Sequence, residues 1–157
     1  MQLTSAIFQQ GAEIPSAYTA DGEDISPELS WKDAPAQTKS FVLIMHDPDA
    51  PRPGGFTHWV VYNIPAGSGY IEENTPKEER VIGLGVQGKN DNGRIGYMGP
   101  APPSGTHRYF LRLFALDTLL DMEPGATHKQ VSAAMRGHIL AQAELMGTYE
   151  RKAGRAA

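Results

Sequence analysis

The sequence predicts a mainly β protein, a β-sandwich carrying short helices at its edge near the C-terminus, and three observations predict it. Residues 41–45, 56–64 and 107–115 are apolar or alternating runs of strand length. The links between them are dense in turn residues, and 17 glycines with 12 prolines in 157 residues exceed the usual share. Helical spacing appears only late in the chain, and the alternating strand and helix units of a doubly wound sheet are missing.

Taken in order, residues 3–8 read as a first strand. A turn-rich stretch with Pro15, Asp21, Gly22, Asp24, Ser26 and Pro27 then leads to a short strand at Leu29 and Trp31. The run 41–45 is apolar on both faces, as a strand between layers would be. The segment after it, DPDAPRPGG at 47–55, holds three prolines, which lack backbone donors, so it must be a loop. Residues 56–64 alternate, which predicts Phe56, His58, Val60 and Tyr62 on one face and Thr57, Trp59, Val61 and Asn63 on the other. Residues 65–80 read as a solvated excursion, and the glycine-rich 81–97 as short irregular strands. Gly83 and Gly85 do not form a dinucleotide fingerprint, since no helix follows them.

From position 107 alternation returns, with His107, Tyr109, Leu111, Leu113 and Ala115 sharing one face and Arg108, Phe110, Arg112 and Phe114 the other. Thr127 and Gln130 then have the spacing of a capping box, and Val131, Ala134, Met135 and Ile139 recur at helical spacing. Gly137 is expected to split this pattern into two short helices, with Leu145, Gly147 and Tyr149 alternating as a last strand. One domain over residues 1–152 and a frayed tail at 153–157 follow.

A formal charge of −4 has the wrong sign for a sequence-independent nucleic-acid binder. The absence of cysteine excludes disulfides and thiol chemistry and fits a reducing, cytoplasmic setting. No apolar run approaches the ~20 residues of a membrane helix, and the N-terminus lacks a basic region followed by an apolar one, so neither a membrane span nor a secretion signal is expected.

Asp47 ends an apolar strand, His58 opens the next, and His107 and Tyr109 share a face on a third. If the fold unites them, two imidazoles, a carboxylate and a phenol suit an oxyanion such as phosphate. Imidazolium and phenol would donate to it, while Asp47 would orient a histidine. Loop amides beside Gly99 and Ala101 could add donors. Each residue also has a plainer role: Asp47 and Asp49 form turns, His58 is a core histidine, Tyr109 serves strand propensity, and Arg108 pairs with an acid such as Asp49. His46, His128 and His138 show no partner pattern. A metal triad of two histidines and a carboxylate competes, as does a weaker triad of Ser104, His107 and Asp47 that lacks a nucleophile elbow.

The motifs DPDAP at 47–51, HWVVYNIP at 58–65 and GPAPPSGTHRY at 99–109 resemble, in order and spacing, the phosphatidylethanolamine-binding proteins, also called Raf kinase inhibitor-like proteins. ISPELSW at 25–31 and GHILAQAELMGTYER at 137–151 look like the ends of its bacterial and archaeal branch. The resemblance implies an antiparallel Greek-key sandwich with a small anion cavity at one end. By motif position Asp47, His58, Ala101, His107 and Tyr109 correspond to the binding residues, with Pro51, Gly99 and Pro103 in the rim.

Implied ligands are phosphate-bearing groups: a phospholipid headgroup, a phosphorylated metabolite or a nucleotide. The alternative the resemblance carries is inhibition of a protein kinase or protease by direct contact. It implies no catalytic residue, no cofactor and no metal. Ala101 stands where eukaryotic relatives tend to have glycine; alanine keeps the amide, provided the backbone there does not need positive φ. The eukaryotic helix that helps close the pocket has no counterpart before the chain ends, which implies an open cavity or one closed by the second subunit of a homodimer.

Overall fold

A computed structural model describes residues 1–151; the tail at 153–157 and Lys152 before it lie outside the described residues. Among the described residues nine strands form two antiparallel sheets. β1 (Gln2–Thr4), β2 (Leu29–Lys32) and β5 (Tyr70–Ile71) make the small sheet in the order β1-β2-β5. β3 (Ser40–Asp47), β4 (Phe56–Pro65), β6 (Arg80–Val81), β7 (Gly85–Gln87), β8 (Thr106–Leu116) and β9 (Ile139–Glu150) make the large sheet in the order β6-β7-β4-β3-β8-β9. After β7 the chain passes over β4 and β3 and lays β8 on the far side of β3, a Greek-key connection. The sandwich expected from sequence is present.

Two cores explain why β3 is apolar on both faces. Leu3, Leu29, Trp31 and Ile71 of the small sheet pack against Phe41, Leu43, Met45, Trp59, Tyr109 and Leu111 of the large one. On the opposite face, Val42, Ile44, Val60 and Tyr62 are covered by Leu120, Ala126, Val131 and Met135. The last two belong to α1 (His128–Met135), whose N-cap Thr127 and Gln130 form the capping box read from sequence. β3 is therefore the middle layer, sealed from water on both sides.

The expected pair of helices is one helix. Gly137 takes a left-handed φ of 81° and turns the chain from α1 into β9, a 12-residue strand paired with β8 along its length. The excursion at 65–80 also supplies β5 to the small sheet.

Register breaks shape the site. Met45 pairs with Trp59 but His46 pairs with Thr57, so β4 carries one extra residue, His58. The bulge turns His58 to the side of Trp59, between the sheets, while Thr57 faces α1. Simple alternation had grouped His58 with Val60 and Tyr62, which pack on the α1 side; the bulge corrects that grouping. A second break places Tyr62 and Asn63 opposite Val42, with Asn63 at φ 53° and its side chain bonded to both N–H and C=O of Leu120.

Candidate anion-binding site

The C-terminal end of β3, the bulged start of β4 and the start of β8 meet at one end of the sandwich. They enclose a cavity of about 180 Å³ lined by Asp47, His58, Met98, Ala101, His107 and Tyr109, with Phe56, Arg52, Pro51 and Pro103 towards its mouth. Asp47, His58, His107 and Tyr109 are 2%, 3%, 6% and 0% exposed, so their polar atoms must find partners inside the protein or in a ligand.

Asp47 accepts a hydrogen bond through each of its oxygens. Its Oδ2 accepts from His107 Nδ1 at 2.6 Å, and its Oδ1 accepts from the Asp49 amide at 2.7 Å, the turn that starts the proline loop. His107 thus has a fixed ring orientation and keeps Nε2 for the cavity. His58 is fixed otherwise: its Nδ1–H donates to the Met98 carbonyl at 2.6 Å, while the Met98 amide donates to the His58 carbonyl at 3.0 Å. A carbonyl accepts only, so Nδ1 carries the hydrogen and Nε2 has no partner among the described residues. Burial lowers the His58 pKa against the weaker opposing pulls of the Met98 carbonyl and Asp47, which favours the neutral ring.

Tyr109 completes the floor. Its ring meets His58 edge-on at 5.3 Å and stacks with His107 at 6.4 Å, and its hydroxyl is buried with no hydrogen-bond partner among the described residues. Burial, reinforced by Asp47, raises its pKa far above the ordinary phenol value, so the group keeps its proton and is a donor. Phe56 lies 4.9 Å from the His58 ring and carries the Arg52 guanidinium 5.4 Å over its ring.

The structure brings together Asp47, His58, Ala101, His107 and Tyr109, with Pro51 and Pro103 in the rim. Gly99 is the exception. Its amide donates to Asp24 Oδ1 at 2.7 Å, and a Cβ there would lie 2.4 Å from that oxygen and 2.6 Å from the Tyr18 carbonyl. It stitches the loop to the N-terminal segment and offers the cavity no donor. Among residues 99–103 only Ala101 keeps an amide that has no partner among the described residues, and its φ is not positive, so alanine fits the loop without strain.

Sequence reasoning missed Phe56 and Met98. Phe56 was visible as a face-mate of His58, whereas the Met98 contribution is a backbone carbonyl, which no side-chain pattern reveals. Arg108 faces outward and grips Asp49 through Nε and Nη2 at 3.0 and 2.9 Å, holding that carboxyl down at about 2. Ser104 makes no hydrogen bond to His107. Among the described residues no three histidine or acidic side chains gather in a metal-binding group.

The family model for phosphatidylethanolamine-binding protein matches residues 4–150. The chain belongs to this family. Its relatives include a UPF0098 protein of Methanothermobacter thermautotrophicus, 54% identical over 151 residues that cover 96% of this chain and 99% of the relative. A solved homologue of phosphatidylethanolamine-binding protein from Chlamydia trachomatis is 44% identical with a TM-score of 0.89, covering 96% of this chain and 97% of that one. E. coli YbcL, a member of the mammalian family by its description, is 32% identical with a TM-score of 0.88 over 96% and 98% of the two chains. Among the described residues no helix of this family member is long and apolar enough to cross a membrane.

Proposed function

We propose that the chain binds a small phosphate-bearing anion, free or as a lipid headgroup, in the cavity floored by His58, His107 and Tyr109. The observation that carries this reading is the pair of imidazoles lining the cavity, with the unpartnered Tyr109 hydroxyl packed next to them. A buried donor without a partner costs stability, and it stands beside two imidazoles that each have one nitrogen tied and the other open to the cavity. The Ala101 amide and Arg52 at the mouth suit the same ligand. The family's name points to the same class of headgroup.

The reading is binding without chemistry, in a reducing cytoplasm, since among the described residues no nucleophile is bonded to either histidine and the chain has no cysteine. A second reading, contact with a kinase or protease, is favoured by the loop at 48–55, where Pro48, Pro51, Arg52, Pro53 and Gly54 are exposed and Pro51 and Arg52 stand at the mouth.

Titration with phosphate and phosphoethanolamine, followed through the histidine ring resonances by NMR, tests the main reading. Both His58 and His107 are expected to shift at millimolar ligand. Silence from both removes the site.

A further inference from the structure

The cavity that the anion reading assigns to a ligand carries little positive charge. Asp47 and His107 form a hydrogen-bonded pair whose charges at best cancel. Arg108, the nearest strong cation on β8, is spent on Asp49 outside the cavity. Arg52 is exposed at the mouth. The groups bearing on His58 are Asp47 and His46 from β3, His107 and Tyr109 from β8, Arg52 from the rim loop, and Asp24 ahead of β2. Among them no buried, unpaired cation faces the ligand. What His58 presents is a lone pair, because the Met98 carbonyl holds the hydrogen on the other nitrogen.

From this arrangement, which rests on the anion reading above, we infer that the ligand enters together with one proton, held between His58 Nε2 and a ligand oxygen, so that the site selects protonatable phosphate esters over permanently ionised sulfate. A dianion brought alone would set its charge against a lone pair and a buried carboxylate. A singly protonated phosphate places its P–OH on His58 Nε2 while another of its oxygens accepts from the Ala101 amide. Burial that disfavours the His58 imidazolium supports this direction. Sulfate has no proton to bring, and must instead draw one from solvent onto a buried ring.

Calorimetry with methyl phosphate and with sulfate between pH 6 and 8, in buffers of different ionisation enthalpy, tests the inference. With a second phosphate pKa of about 6, methyl phosphate affinity should fall about 50-fold between pH 6 and 8, and sulfate affinity about 100-fold. At pH 7.5 about one proton should be taken up with either ligand. The ¹⁵N resonance of His58 Nε2 should leave its lone-pair position on binding. A flat pH profile, or uptake located on His107 with His58 unchanged, overturns the inference and leaves the anion reading standing. Absence of binding by either anion at every pH overturns both.

Discussion

Tyr109 lines the cavity and is 0% exposed, and among the described residues its hydroxyl has no partner. Leaving such a donor unmade costs about 1–3 kcal/mol. Tyr109→Phe removes the atom and keeps the ring that packs on His58 and His107. We expect it to melt no lower than the parent, and up to about 1 kcal/mol more stable, while losing about tenfold in phosphate affinity. Thermal denaturation beside a phosphate titration reads both; a clear drop in melting temperature would mean that the hydroxyl has a structural partner. Most of this residue set was legible in the sequence, because Asp47, His58, His107 and Tyr109 each sit at the end of a readable strand. The facing of His58 was not, since a one-residue bulge follows from how two strands register and leaves no mark in either alone. Gly99 was misassigned for a related reason: its neighbours, Asp24 and Tyr18, come from a distant segment.

The elements around the site are joined by a hydroxyl as well as by apolar packing. Thr57, the residue beside the bulge, sits between His46 of β3 and His128 of α1, at 2.9 and 2.7 Å. His46 Nε2–H donates to the Gly54 carbonyl, so with His46 neutral Thr57 donates to its Nδ1 and accepts from His128. This chain ties the rim loop, two strands and the helix together. Thr57→Val keeps the shape and strands both histidines, and should cost about 1–2 kcal/mol in denaturant midpoint with faster amide exchange in α1. An unchanged midpoint would show that water replaces the hydroxyl without loss. Sequence patterns could not pair these histidines, which are 82 positions apart by their numbers alone. The start of β9 was misread for a different reason. Residues 139–144 include Ala141, Ala143 and Glu144, good helix formers, and only pairing with β8 overrides that preference.

For the molecule as a whole, one buried histidine and one partly buried histidine set the acid limit. His58 and His128 both have pKa values lowered by burial. The unfolded chain, with histidines near 6.5, then binds more protons than the folded one as pH falls below that value. Stability is therefore full above about 6.5 and declines below it. Melting temperature should fall between pH 7 and 5, and fall again as Asp49 protonates between 3.8 and about 2. A melting temperature that is level from pH 7 to 5 would contradict neutral rings at His58 and His128. The stitches around the cavity also run far along the chain: His107 to Asp47 spans 60 positions, Gly99 to Asp24 spans 75, and Tyr97 to the Tyr18 carbonyl spans 79. Such contacts close only when distant segments have already met, which slows folding. The cavity consequently has no local existence. It assembles with the cooperative unit and dissolves with it, and a bound anion acts as a clasp on the global fold.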